Sequence, residues 1–171
     1  MARKKPKSDY ELAGDFISRL EGAINQENNY PAVLMIGGYI DECLDSALLR
    51  ALPRTEKPPT TYARKSRKLR DLSMIDDQYY NDIRYIGYVR NSFAHSHLQV
   101  SFSNPEVRNN CNQLTLWKKF KPPFQIDEWN EKSNKRDPQI CRRKFVDSSL
   151  EVIRDFLGKG LIHKIMYHQE Y

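Results

Sequence analysis

No run of apolar residues in this sequence is long enough to span a bilayer, which takes roughly 20 in succession. The basic cluster Arg3, Lys4, Lys5 and Lys7 is not followed by a hydrophobic signal core, which argues against secretion and for a cytoplasmic setting. Cysteine is sparse. Cys43, Cys111 and Cys141 are odd in number, have no paired spacing and sit in or beside apolar patterns. They are expected to be reduced thiols serving as small hydrophobes, not a disulfide framework. Glycine is scarce, at 7 residues in 171. Gly37-Gly38 lacks the flanks of a phosphate-cradling or dinucleotide loop, and no Gly-x-Ser-x-Gly nucleophile motif occurs. His95-x-His97 has no cysteine pair to complete a metal site. Neither a cofactor nor a metal is expected.

What is present is charge. Charged residues make up 29% of the chain against 39% hydrophobic, with a net charge of +6. A single domain over 9–171 behind a basic disordered tail at 1–8 fits that balance. The positive excess favours an anionic partner, nucleic acid among them.

Helical periodicity dominates. Leu12, Phe16, Leu20 and Ile24 share one face of a helix capped by Ser8 or Asp9, and Gly22 with Asn25–Asn29 ends it. Pro31 then suits the first turn of a second, most apolar helix through Val33, Ile36, Ile40, Leu44 and Leu48, expected at the bundle centre. Gly37 and Gly38 weaken that helix by about 1 kcal/mol each relative to Ala, a cost that a close helix crossing would offset. Residues 53–59 are a proline-rich linker. Tyr62–Leu72 forms a short basic helix, and Asp76 or Asp77 opens the next, buried along Tyr79, Tyr80, Ile83, Ile86 and Val89. A short extended stretch is expected near 97–103, where Leu98, Val100 and Phe102 alternate with polar residues. Asn104-Pro105 and Asp137-Pro138 are cap-plus-proline helix starts. Between them lies an irregular loop or arm at 115–136, and Gly158 closes the last long helix. A final turn holds Leu161, Ile162, Ile165 and Met166. The fold class is all-α.

The chemistry concentrates in Arg90-Asn91-Ser92-Phe93-Ala94-His95, where the helical pattern gives way. Residues five apart lie about 140° apart on an ideal helix, so Arg90 and His95 converge only if the helix ends, bends or widens between them. If it continues, His97 falls within roughly 20° of Arg90 instead. An imidazole can take the proton of a ribose 2′-OH, and a guanidinium can hold the phosphorane bidentately. Asn91 would orient base or phosphate, and His97 is a candidate general acid. The structural alternative is that Arg90 pairs with Asp41, Glu42 or Asp45 on the central helix while His95 caps a helix end.

Arg90-Asn91-(Ser-Phe-Ala)-His95 matches the Arg-x4-6-His motif of HEPN-type helical proteins. Tyr39-Ile40-Asp41-Glu42-Cys43-Leu44, Arg64-Lys65-Ser66-Arg67-Lys68-Leu69, the Arg90–Ser96 run and Phe102-Ser103-Asn104-Pro105-Glu106-Val107-Arg108 resemble the mannitol operon repressor (MltR) family. That likeness spans about half the chain, from Met35 to Leu114. It implies an all-helical HEPN/MltR-like bundle. It also implies one of two activities: a metal-independent ribonuclease of toxin or defence type, dimeric with its motifs at a shared cleft, or a non-catalytic transcriptional regulator. An antitoxin or a regulatory protein would then be a partner. The catalytic candidates are Arg90, His95 and Asn91, with possible support from His97, Asp41, Glu42 and Asp45. The RNA-backbone candidates are Arg64, Lys65, Arg67, Lys68 and Arg70, with Lys118 and Lys119 beside Trp117.

Overall fold

The computed structural model describes residues 29–95, 100–119 and 136–158. The expected first helix, His97, most of the arm and the final turn lie outside the described residues. Among the described residues the chain is all-α: α1 (Asn29–Ala51), α2 (Tyr62–Asp71), α3 (Asp77–His95), α4 (Pro105–Gln113), a 3-10 turn (Leu116–Lys118) and α5 (Pro138–Leu157). None of these helices is long and apolar enough to cross a membrane.

Local chemistry explains most of the boundaries. The Asp76 carboxylate accepts the Tyr79 backbone N–H at 2.8 Å and caps α3, and Asp137 accepts from Gln139 at 2.8 Å to cap α5 ahead of Pro138. Gly158 follows α5 at φ 83°, the positive-φ position a C-terminal glycine serves. Asn104 precedes α4 as expected but does not cap it. Its side chain turns back to accept the Ser101 N–H at 3.0 Å, and its own N–H bonds the Ser101 carbonyl at 3.1 Å. Residues 101–104 therefore close into a turn, and the described end of the alternating segment is not a strand. The alternation still sorts the faces: Phe102 is buried and Ser103 exposed.

The apolar stripe of α1 (Val33, Ile36, Ile40, Leu44, Leu48) is buried together with Ile83, Ile86 and Val89 of α3 and Phe145, Val152 and Ile153 of α5. Phe93, Phe102 and Phe145 form an aromatic chain at centroid spacings of 5.4 and 5.9 Å, joining α3, the turn and α5. All three cysteines are buried in this core. The expectation that α1 holds the centre needs correction. Among the described elements it is α3 that touches every other one, whereas α1 packs on α2, α3 and α5. Apolarity alone pointed to α1, but α3 also carries the polar anchor of the 3-10 turn. Buried Asp82 accepts from Thr115 N at 2.9 Å, Thr115 Oγ1 at 3.0 Å and Leu116 N at 2.8 Å.

Candidate functional site

Helix α3 runs without interruption to His95, its last residue. The helix therefore does not end between Arg90 and His95, and ideal geometry sets them about 140° apart. What shares a face is Arg84, Tyr88, Asn91 and His95, spaced i, i+4, i+7 and i+11. Tyr88, Asn91, Ser92 and His95 line an open cavity of about 690 Å³ whose far wall is Glu106, Asn109 and Asn110 of α4. His95 is exposed there, at the helix end where the dipole favours a cation.

Arg90 does not line this cavity and connects to it only through Asn91. Its stem crosses α1 at Gly37, where an added Cβ would collide with Arg90 Cγ and stand 3.0 Å from its Cβ and 3.3 Å from its Cδ. The close crossing expected at the glycine pair is thus formed at Gly37 by Arg90, while Gly38 faces open space. Beyond the crossing, Arg90 Nη1 donates to Asn91 Oδ1 at 3.3 Å, and its buried Nε has no hydrogen-bond partner. Asn91 is therefore the link. It meets the guanidinium on one side and lines the His95 cavity on the other.

The acidic helix face is occupied by a different cation. Lys65 is only 4% exposed, and its Nζ donates to Asp41 at 2.9 Å and Asp45 at 2.8 Å. Burial pulls the Lys65 ammonium down, but the two carboxylate hydrogen bonds and charges outweigh it, so its pKa is raised. Asp41 and Asp45 are thus tied to α2, not to Arg90. Nearby, Tyr62 donates to the Ile83 carbonyl at 3.2 Å. Burial and then the Asp41 charge push its phenol up, with Arg90 acting in the opposite direction.

The other basic candidates divide. Lys65 faces inward and Lys68 bonds Glu56 at 2.9 Å. Arg70 lies over the Tyr80 ring at 4.4 Å, within 3.6 Å of Asp71. Arg64 and Arg67 are exposed, and Arg67 lines a second cavity of about 300 Å³ with Tyr62, Ala63, Tyr80, Arg84, Gly87, Tyr88 and Asn91. Lys118 and Lys119 stand over Trp117 and Tyr79 at 5.5 and 4.9 Å, apart from either cavity lining. Glu42 lines neither cavity. No cluster of three or more metal-ligating side chains occurs among the described residues.

Sequence reasoning missed Arg84 and Tyr88, although their i, i+4 spacing into Asn91 and His95 was readable. Glu106, Asn109 and Asn110 had no local signal, because α4 meets α3 only through the tertiary fold. Compared with family models, curated proteins and solved structures, the chain matches none of them.

Proposed function

We propose that this chain is a HEPN-like, metal-independent ribonuclease acting in the cytoplasm, similar in its Arg-x4-His motif to the helical proteins it resembles. The observation that carries the reading is the Asn91 bridge, which joins the Arg90 guanidinium to the wall of the His95 cavity. The exposed hydrogen bond from Arg90 Nη1 to Asn91 supports it, since it leaves the outer N–H groups of the guanidinium accessible to a phosphate oxygen.

In the proposed reaction the His95 imidazole takes the proton from a ribose 2′-OH. The 2′-oxygen bonds the adjacent phosphorus, Arg90 stabilises the charge gathering on the phosphoryl oxygens, and the P–O5′ bond breaks. The leaving 5′-oxygen takes a proton from an imidazolium, leaving a 2′,3′-cyclic phosphate and a 5′-hydroxyl. Because Arg90 and His95 diverge along α3, the reading includes a homodimer in which a second copy completes each site.

The test is cleavage of end-labelled single-stranded RNA in excess EDTA. The unmodified chain should cut and leave cyclic-phosphate ends. His95→Ala should slow cleavage by roughly 10²–10⁴-fold, and Arg90→Ala and Asn91→Ala should also impair it. Mixing Arg90→Ala with His95→Ala should restore part of the activity if two copies share a site. Unchanged cleavage by folded Arg90→Ala and His95→Ala proteins would refute the reading.

One observation favours a second reading. The unbroken helix between residues 90 and 95 is also what a non-catalytic MltR-like regulator would have, with the motif retained for packing Arg90 against Gly37. RNA binding without cleavage, or a regulatory protein or antitoxin partner bound at the cavity, would support it.

A further inference from the structure

The 690 Å³ and 300 Å³ cavities share Tyr88 and Asn91 and so adjoin across the exposed face of α3, the smaller against α2 and the larger against α4; together they form the candidate groove. From Arg84 to His95 the groove follows roughly 16 Å of helix axis, room for a short extended strand. Arg67 and Arg84 line one end and His95 the other. Tyr88 lies between them. It is 43% exposed, and its ring is held by its neighbours. Its hydroxyl accepts from Arg84 Nη2 at 3.0 Å, the Arg84 guanidinium lies 5.8 Å from the ring centroid, and Tyr85 packs edge-on at 6.2 Å. The same guanidinium stands 5.6 Å from the Tyr80 ring. The arrangement offers a fixed, half-open aromatic face flanked by arginines.

We infer that this groove binds single-stranded RNA, with a base stacked on Tyr88 and the backbone on Arg67 and Arg84, and that it delivers the adjoining phosphodiester to the His95 cavity. The inference rests on the reading that this cavity acts on RNA. Every base has a π face, so stacking on a held tyrosine binds RNA without demanding a sequence, and guanidinium forks fit phosphates. A duplex hides its base faces and could not use Tyr88. An acidic peptide would use the arginines but leave Tyr88 without a stacking partner. The signal was divided in the sequence, since Arg67 stood in the basic helix whereas Arg84 and Tyr88 fell within an apolar pattern.

The experiment measures fluorescence anisotropy of a labelled mixed-sequence RNA 12-mer on the full chain carrying His95→Ala, so that binding is read without cleavage. Tyr88→Ala should weaken binding on the order of tenfold or more. Arg67→Gln with Arg84→Gln should weaken it and flatten the salt dependence by about 1.4 in log–log slope, at about 0.7 per phosphate contact. Arg84→Lys should keep that slope, because the charge remains. Circular dichroism controls for folding, and all three positions have exposed or half-buried side chains. Binding by the Tyr88 and double-arginine variants that equals the parent overturns the inference, as does an equal Tyr88→Ala effect on duplex RNA. Groove-dependent binding alongside a chain that never cleaves would sink the nuclease reading and leave the groove standing. Cleavage with groove variants that bind normally would do the reverse.

Discussion

Gly37 and Gly38 are neighbours on one helix with opposite surroundings, and replacing each by alanine tests the crossing that seats Arg90. Both substitutions relieve the helix-interior glycine cost, about 1 kcal/mol. At Gly38 nothing lies within 4 Å of the new methyl, so a stabilisation of about 0.5–1 kcal/mol is expected. At Gly37 the methyl overlaps the Arg90 stem. Its Cγ can escape by a χ1 change, but its Cβ at 3.0 Å cannot, so the two helices must separate or Arg90 must leave its rotamer. Overpacking of this kind costs about 1–3 kcal/mol. The two variants should therefore differ by about 1–3 kcal/mol, equivalent to roughly 2–12 °C in Tm for a domain of this size. Urea midpoints and thermal melts by far-UV circular dichroism measure both. Arg90→Ala removes Cγ and Cδ but keeps the Cβ, so it should recover part of the loss specifically in the Gly37→Ala background, a coupling readable in a double-mutant cycle. If Gly37→Ala stabilises as much as Gly38→Ala, the close crossing does not exist and the route of Arg90 to Asn91 falls with it.

Two other anchors are testable in the same way. Lys65→Met keeps the buried stem but leaves Asp41 and Asp45 without their cation. With those carboxylates 37% and 46% exposed, solvent limits the loss to about 1–2 kcal/mol. Because the folded pKa of Lys65 is raised above the ordinary 10.5, its contribution is fully present below that value and is lost as pH climbs through the folded one. The stability gap between parent and Lys65→Met should hold constant across neutral pH and narrow only above about 10.5; a gap that closes on acidification from neutral pH to pH 6 would contradict the pairing. Asp82→Ala leaves two backbone N–H donors and the Thr115 hydroxyl unsatisfied, for about 3 kcal/mol of destabilisation by urea titration. A loss under 1 kcal/mol would mean that water replaces the carboxylate.

What the sequence exposed and what it concealed follow from the range of the interactions. The Asp76 and Asp137 caps, the proline starts, Gly158 and the apolar stripe of α1 depend on residues a turn apart, and each was legible. The Asn104 side chain was legible as a turn former but not in direction, because bonding back to Ser101 and forward into α4 are both local options for asparagine. Lys65 was grouped with the exposed cations of its helix by proximity along the chain. The helical period instead sets it with Tyr62, Ser66 and Leu69, the inward stripe, and two carboxylates 20 and 24 residues earlier make its burial tolerable. That pairing also took Asp41 and Asp45, two of the acidic partners foreseen for Arg90. The α4 wall of the His95 cavity is a tertiary fact with no sequence precursor.

The placement of Arg90 joins these threads. A long cation leaving the middle of a buried helix face needs a gap in its neighbour, and Gly37 is that gap. Once through it, the guanidinium finds Asp41 and Asp45 already hydrogen-bonded to Lys65, and it donates instead to Asn91. Core packing and ion pairing thereby fix the direction of the one arginine that the motif requires, and they fix it onto Asn91, which lines the His95 cavity. A mutation at Gly37 or Lys65, neither of which lines the cavity, should accordingly change the behaviour of the motif as well as stability. That link follows from the geometry of α1, α2 and α3 whichever reading of the cavity holds.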